Sequence, residues 1–412
     1  MPTEPTFVIV GASLAGAKAA ETLREEGFGG GVVLLGQETE RPYERPPLSK
    51  GYLLGKEEKS AAYVHDEGWY AQHEVDLRLG VSVTGLDPAA KQISLAGGGT
   101  LGYDRLLLTT GAAPRRLNVP GGDLAGVLYL RSMGNSERLG AALRASGQVV
   151  IIGAGWIGLE VAAAAREFGC DVTVVEPEPG PLNRAIGPEV GAVFARLHTD
   201  HGVVFRFEES VTELRGSGGT VTEAVTSAGV SLPADLVVVA IGAVPATSLA
   251  SAAGLDVGNG VIADAGLHTS ALDVFAAGDV ANSFHPMYGR HVRVEHWANA
   301  LNGGPAAARS MLGKGVSYDP VPYFFSDQYD LGMETAGLPE PGSYDQVVYR
   351  GDRDAREFVA FWLSGGAVVA GMNVNVWDVS DDIQALIKSK RQVDLAVLTD
   401  PAIPISENLP GA

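Results

Sequence analysis

The sequence predicts an α/β protein with a small α+β domain at its C-terminal end, and three observations support this fold class. First, two segments about 140 residues apart each contain an apolar strand, a glycine-rich turn, a helix-like run and a second apolar strand. Second, the stretches between and after them alternate short strands with Gly, Asp and Pro turns. Third, residues 323–412 contain short apolar segments and one helix-like run, which favours a separate small sheet.

The two β-α-β units have the same order of elements. We predict a strand, a helix and a strand at residues 6–10, 14–26 and 32–35, and again at residues 149–152, 156–168 and 172–175. Further strands are predicted at residues 81–86, 92–95, 106–109, 346–349, 358–363 and 367–370, and a further helix at residues 380–389. This order of elements indicates two Rossmann-like domains, each followed by antiparallel segments.

Charge and cysteine content exclude several function classes. A net charge of -19 opposes binding to nucleic acid or to an anionic membrane surface. Cys170 is the only cysteine, which excludes a disulfide framework, a Cys-x-x-Cys redox pair and a thiolate metal cluster. The N-terminal residues carry no basic region and no apolar run is long enough to span a bilayer, so we expect a soluble, cytoplasmic protein in a reducing compartment.

The second glycine-rich turn has the full dinucleotide-binding pattern, Gly153-Ala154-Gly155-Trp156-Ile157-Gly158. Its glycines allow a tight turn, close approach of a pyrophosphate and packing of the helix on the strand, and the helix N-terminus favours the phosphates. Glu176 follows the next strand, 23 residues after Gly153. A carboxylate there suits a ribose diol and disfavours a 2′-phosphate, so we expect NADH rather than NADPH.

The first turn, Gly11-Ala12-Ser13-Leu14-Ala15-Gly16, has serine at the middle glycine position. Serine is small enough for the phosphate approach to stay open. Gln37 follows the second strand and Glu38 comes one residue later, and either side chain is a candidate to bind a ribose. The presence of two such turns in one chain favours two nucleotide cofactors, a tightly held flavin at one turn and a diffusible nicotinamide at the other.

Longer motifs resemble one family: the glutathione-reductase-like flavoproteins with two dinucleotide-binding domains, and within them the reductases similar to putidaredoxin, rubredoxin and aromatic-dioxygenase ferredoxin reductases. The resemblance covers essentially the whole chain. It rests on residues 41–50 (RPYERPPLSK), 110–115 (TGAAPR), 153–160, 277–280 (AGDV), 295–300 (EHWANA) and 325–329 (FSDQY). It implies an FAD-binding domain over residues 1–111 and 247–322, an NADH-binding domain over 112–246 and a C-terminal domain over 323–412.

The resemblance also implies site residues. For FAD they are Gly11, Ser13, Leu14, Ala15, Gly16, Gln37, Glu38, Arg45, Lys50, Val83, Thr110, Gly111, Arg131, Gly278, Asp279 and Trp297. For NADH they are Gly153, Gly155, Ile157, Gly158, Glu160, Glu176, Arg184 and Gly242. Lys50, Glu160 and Trp297 are the implied catalytic residues, with Lys50 and Glu160 paired near the flavin.

Physical arguments support some of these roles. Pro46 and Pro47 suit the rigid start of a short helix, which would hold Lys50, and a fixed ammonium stabilises negative charge on a reduced flavin. Glu160 lies on the first helical turn, where a carboxylate also complements the helix dipole. Trp297 suits stacking beside a flavin, although tryptophan is more often a packing residue.

The remaining candidates fit no catalytic pattern. Cys170 lies between a helix end and a strand, which suits packing. The histidines His285, His291 and His296 lack converging cysteines or carboxylates, so we expect no metal. His198 and His201 have helical spacing, and we expect both on a wetted surface.

The resemblance implies an NADH:ferredoxin oxidoreductase. Hydride would pass from NADH to FAD, and single electrons to a two-iron ferredoxin that serves a Rieske oxygenase or a haem monooxygenase. Two alternatives stay open: an NADH oxidase or quinone-type reductase without a protein acceptor, and a non-catalytic FAD-binding signalling protein. As candidates for a basic docking patch near Trp297 we take Arg290, Arg293, Arg309 and Lys314.

Overall fold

The computed structural model describes residues 4–409, which form two compact units. The first unit contains the described residues up to Glu44, with Glu58–Ala113 and Val244–Pro322. The second contains Arg45–Glu57, Pro114–Ala243 and the described residues from Tyr323 onward. Among the described helices, none is both long and apolar enough to cross a membrane.

A five-stranded parallel sheet forms the core of the first unit. Its strands are, in spatial order, Val274–Ala276, Arg105–Leu108, Thr6–Val10, Gly31–Leu35 and Val75–Arg78. The helices Leu14–Glu25 and Trp297–Met311 pack their alanine-rich faces on it, and both faces of the sheet lie in apolar clusters. Burial on both faces explains why the strands are continuous apolar runs.

Shorter elements complete the first unit. One antiparallel sheet contains Val83–Asp87, Gln92–Leu95 and Thr100–Gly102. A mixed sheet contains Val257–Gly258, Gly260–Ala263, Ala281–His285 and Arg290–Val292. The remaining helical turns are Lys59–Ala62, Trp69–Gln72, Ser248–Ala252 and Gly278–Val280.

The second unit has a parallel sheet with strands in the order Val204–Phe207, Asp171–Glu176, Gln148–Ile152, Leu236–Val239 and Val127–Leu128. An antiparallel sheet of Val211–Ser217, Thr220–Thr226 and Ser231–Pro233 shares an apolar cluster with it. The helical segments in this region of the chain are Pro46–Ser49, Gly51–Leu54, Met133–Ala145, Trp156–Glu167 and Asn183–Asp200. Two short strands, Ala112–Pro114 and Ala243–Pro245, contain points where the chain passes from one unit to the other.

A five-stranded antiparallel sheet occupies the C-terminal part of the second unit. Its order is Tyr323–Gln328, Leu331–Gly337, Ala367–Val374, Glu357–Ser364 and Gln346–Asp352. Helix Ser380–Ser389 packs closely on it, since a Cβ on Gly371 would lie 2.5 Å from Ile383 Cγ2. The segments Leu395–Thr399 and Ile405–Asn408 follow.

The predicted fold class is confirmed: two β-α-β units and a C-terminal α+β sheet are present. The strands and helices of the two β-α-β units begin and end within one residue of their predicted bounds. The strands predicted at residues 346–349 and 367–370 are longer than expected and extend over Gln346–Asp352 and Ala367–Val374. The C-terminal helix was predicted with its observed bounds, but the first two strands of the C-terminal sheet were missed. The second unit contains both the predicted NADH-binding segment and the C-terminal sheet, so the three predicted domain ranges stay a prediction.

Candidate active site

The two glycine-rich turns have the same geometry. Gly11 and Gly153 both have positive φ, +122° and +102°, which only glycine adopts without strain. A Cβ on Gly16 would lie 2.1 Å from the Gly11 carbonyl oxygen, and one on Gly158 would lie 2.1 Å from the Gly153 carbonyl oxygen. The third glycine therefore lets each helix pack directly on its own turn.

The N-termini of the two helices fit an anionic cofactor. Ser13 and Gly155 are the N-cap residues of two 12-residue helices, and neither helix has a side-chain cap hydrogen bond. A Cβ on Gly155 would meet no described atom within 4 Å. N–H groups without a side-chain cap at a helix N-terminus are what a pyrophosphate needs, so both turns fit a dinucleotide.

Glu176 ends strand Asp171–Glu176, as predicted, and its side chain contacts the second glycine-rich turn. Its Oε2 accepts a hydrogen bond from Ala154 N at 2.7 Å, and its Oε1 accepts one from Glu178 N at 3.0 Å. Arg184 is exposed and forms an ion pair with Glu178, which lowers the pKa of Glu178. Ile157 is exposed on the first turn of its helix.

Two predicted FAD segments of the first unit lie close to one another. A Cβ on Gly278 would lie 3.2 Å from Ala15 Cβ, so the Gly278-Asp279 motif approaches the first glycine-rich turn. Gln37 is exposed, whereas the Glu38 Oε2 accepts a hydrogen bond from Tyr43 at 2.6 Å.

The other predicted cofactor residues occupy turns and strands. Thr110 Oγ1 donates to the Ala246 carbonyl at 2.9 Å, Gly111 and Gly242 have positive φ, and Val83 begins a strand. Gly242 O accepts a hydrogen bond from Arg115 N at 2.9 Å. In the second unit, the Arg45 guanidinium donates to the Arg131 carbonyl, so the structure brings these two predicted residues together.

Lys50 and Glu160 form an ion pair inside the second unit. The distance from Lys50 Nζ to Glu160 Oε1 is 2.6 Å, and the side chains are 17% and 5% exposed. Pro46 and Pro47 start the 3-10 helix that precedes Lys50, as predicted. Two further donors complete the environment of the carboxylate: Ser49 Oγ at 2.5 Å from Oε2, and Ser326 Oγ at 2.7 Å from Oε1.

Four residues in the hydrogen-bond network of Glu160 were not among the predicted site residues. They are Ser49, Ser326, Gln328 and His198, all buried in the second unit. The prediction of a wetted surface is wrong for His198, which is fully buried, and His201 stacks on the Tyr329 ring at 3.7 Å. Ser326 and Gln328 are two residues apart on a strand, so their side chains share one face of the sheet. This two-residue spacing was the signal in the sequence that could have grouped them.

Trp297 begins helix Trp297–Met311 in the first unit, and the Glu44 carboxyl lies beside it. Burial raises the pKa of Glu44, and the nearby Trp297 indole opposes this shift by a smaller amount. Glu44 was not among the predicted site residues.

The arginines and lysine of the predicted docking patch are largely paired with acids. Arg309 and Lys314 both pair with Glu26, and Arg293 pairs with Glu295 and donates to the Asp279 carbonyl. Arg290 lies near the Tyr288 ring. These pairings reduce the positive charge that the patch presents.

Cys170 is buried, as predicted for a packing residue. Its thiol donates to the carbonyls of Leu143 and Ser146, both at 3.3 Å. Burial raises its pKa. Among the described residues, no three His, Cys, Asp or Glu side chains are grouped as a metal site requires.

The comparisons with known proteins identify the family. Residues 5–304 match the family described as pyridine nucleotide-disulphide oxidoreductase, and residues 323–409 match the family described as reductase C-terminal. The chain belongs to the pyridine nucleotide-disulphide oxidoreductase family. Because Cys170 is the only cysteine, this member lacks the cysteine pair that a redox-active disulphide needs.

Relatives within the family align with nearly the whole chain. The anthranilate 1,2-dioxygenase system ferredoxin–NAD(+) reductase component of Burkholderia cepacia is 40% identical, with 98% of both chains covered. Putidaredoxin reductase of Pseudomonas putida is 36% identical over 100% of this chain and 98% of its own. The covalent putidaredoxin reductase–putidaredoxin complex has a TM-score of 0.94 at 36% identity, with 98% of both chains covered.

Proposed function

We propose that this chain is an FAD-dependent NADH:ferredoxin oxidoreductase. It passes electrons singly to a two-iron ferredoxin that serves a Rieske oxygenase or a haem monooxygenase, and it works in the cytoplasm. The observation that carries the proposal is the Lys50–Glu160 ion pair. Glu160 lies on the helix that follows the nicotinamide-type glycine turn, on its second turn rather than on the first turn expected from the sequence. The pair occurs in a chain without a redox cysteine pair.

Each nucleotide turn supports one part of this function. The turn at Gly11–Gly16 suits the FAD pyrophosphate, and the turn at Gly153–Gly158 suits that of NADH. Glu176 ends the strand that follows the Gly153–Gly158 turn, and a carboxylate at that position suits a ribose diol, which favours NADH over NADPH. The similarity to reductases named for ferredoxin and putidaredoxin supports the acceptor class.

FAD, when bound, accepts a hydride and releases electrons one at a time, which matches a two-electron donor to one-electron carriers. The contribution of the chain is alignment and charge. Lys50 supplies a fixed positive charge where negative charge develops on reduction, and Glu160 fixes the Lys50 ammonium at 2.6 Å. With the single thiol buried, electrons leave the protein without a disulfide step.

The experiment is a steady-state assay with cytochrome c as reporter. Purified yellow protein is mixed with NADH, with and without a two-iron ferredoxin, under nitrogen and in air. We expect reporter reduction that requires ferredoxin and slow oxygen consumption without it. Fast oxygen consumption without a protein acceptor would favour the oxidase alternative. Slow flavin reduction with a long-lived complex with the nicotinamide would favour the signalling alternative.

A further inference from the structure

A chain of side-chain hydrogen bonds leads from Glu160 into the interior of the second unit. Ser326 Oγ donates to Glu160 Oε1 at 2.7 Å, and Gln328 Nε2 donates to Ser326 Oγ at 3.0 Å. His198 Nε2 lies 2.8 Å from Gln328 Oε1. All four side chains are buried. Buried polar groups satisfied by one another in this way fix each other's orientation.

All hydrogen bonds in this hydrogen-bond chain run in the same direction from donor to acceptor. Burial lowers the pKa of His198 to about 4, so at pH 7 the imidazole is neutral and carries one N–H. Gln328 uses its amino group toward Ser326, so its Oε1 accepts from His198 Nε2–H. The His198 Nδ1 is then an acceptor, and the Tyr329 hydroxyl lies 3.4 Å from it. Every donor therefore points toward Glu160.

The hydrogen-bond chain connects three separate segments of the second unit to one another. Glu160 lies on helix Trp156–Glu167, His198 on helix Asn183–Asp200, and Ser326 and Gln328 on strand Tyr323–Gln328 of the C-terminal sheet. Lys50 has a long side chain with many rotamers, whereas a serine on a strand is a donor with little freedom. The strand thus provides the more rigid of the two donors to Oε1.

We propose that Ser326 and Gln328 are positioning residues for hydride transfer, acting through Glu160. They hold the carboxylate in one orientation, and His198 fixes the Gln328 amide behind them. The inference rests on the proposed function, because the reaction it serves is hydride transfer from the nicotinamide. It gives the C-terminal sheet a role in the catalytic site in addition to packing.

The first test is the rate of flavin reduction by NADH in rapid-mixing experiments without oxygen. We expect Ser326→Ala to lower the rate at saturating NADH by about tenfold, because a hydrogen bond to a charged group is lost, and to leave the dissociation constant of NAD+ unchanged. Ser310→Ala is the matched control: Ser310 is also buried, and its hydroxyl has no hydrogen-bond partner among the described residues. Its rate is expected to match that of the unmutated protein.

A double-mutant cycle separates positioning from general stability. In a Glu160→Gln background, Ser326→Ala is expected to change the rate by less than about twofold, because the residue through which it acts has been altered. The same rate loss in both backgrounds would overturn the proposal, as would a Ser326→Ala variant that behaves like Ser310→Ala. Gln328→Met provides a second test of the chain if Ser326→Ala folds poorly, with the same dependence on Glu160 expected.

Nitrogen NMR of the histidine side chains tests the chain independently of activity. At pH 7 we expect a neutral His198 with its proton on Nε2 in the flavin-bound protein. A protonated His198, or a proton on Nδ1, would overturn the assigned direction. If NADH fails to reduce the unmutated protein, the proposed function is wrong. The NMR result still decides whether the hydrogen-bond chain from His198 to Glu160 exists.

Discussion

Lys50 and Glu160 are 110 positions apart in the sequence, yet Lys50 Nζ lies 2.6 Å from Glu160 Oε1 in the interior of the second unit. A second pair, Lys56–Glu167, joins nearby parts of the same two segments at the same distance of 2.6 Å, but its side chains are 60% and 47% exposed. The two pairs therefore differ mainly in burial, which decides how much each contributes.

The first prediction compares these two pairs. Lys50→Met is expected to lower the free energy of unfolding of the second unit by about 3 kcal/mol, because it leaves the Glu160 carboxylate buried without its cation. Lys56→Met is the control and is expected to cost less than about 1 kcal/mol, since exposed pairs contribute little. The measurement is urea unfolding followed by circular dichroism. Equal losses in the two variants would contradict the account.

The second prediction concerns Glu176. Glu176→Ala is expected to raise the KM for NADH by roughly tenfold, because a charged hydrogen-bond acceptor for the ribose is lost. The preference for NADH over NADPH is expected to become smaller. Asp171→Ala changes a carboxylate at the other end of the same strand and is expected to leave both constants unchanged. Equal efficiency with NADH and NADPH in the unmutated protein would refute the role of Glu176.

The third prediction is a pH dependence of stability that comes from His198. Its folded pKa, about 4, lies below the ordinary value of 6.5, so the unfolded state binds the proton more readily between these values. The stabilising contribution is complete above pH 6.5 and is lost as the pH falls to about 4. It amounts to about 3 kcal/mol, since one pKa unit corresponds to ~1.4 kcal/mol.

Two variants test this dependence. In His198→Gln, the free energy of unfolding is expected to lose the part of its pH dependence between pH 6.5 and 4 that comes from His198. His201→Gln is expected to retain that pH dependence. His201 is the C-cap residue of the same helix and is only partly buried, so it is a matched control. A slope unchanged in His198→Gln would show that the imidazole is not the group that titrates.

The fourth prediction concerns Cys170. Since burial raises the pKa of its thiol, we expect no reaction with iodoacetamide at pH 8 in the folded protein and complete reaction after denaturation. Cys170→Ala should retain NADH oxidation within about twofold, because the thiol only packs and donates to two carbonyls. Loss of flavin reduction in Cys170→Ala would reveal a redox role that the fold does not support.

Sequence patterns predicted those elements whose defining residues are adjacent in the sequence. Both β-α-β units were found because their glycine turns and apolar strands are contiguous, and Pro46 and Pro47 correctly marked a short helix before Lys50. Strand Tyr323–Gln328 was missed because its buried face carries Ser326 and Gln328, so apolar alternation does not reveal it.

The environment of Glu160 was harder to predict than the turns. The burial of His198 depends on Gln328, which is 130 positions away, and no local pattern encodes such a partner. The pairing of Lys50 with Glu160 came from resemblance to a family rather than from spacing. Tertiary partners of polar residues are therefore the part of this site that the sequence alone left open.

The most direct test of the central claim is a single-turnover electron count. The flavin-bound protein is reduced with one equivalent of NADH without oxygen and is then mixed with excess oxidised two-iron ferredoxin. The account predicts oxidation of the flavin with two ferredoxin molecules reduced for each NADH, because one hydride carries two electrons. A flavin that stays reduced with ferredoxin but is rapidly reoxidised by air would contradict it.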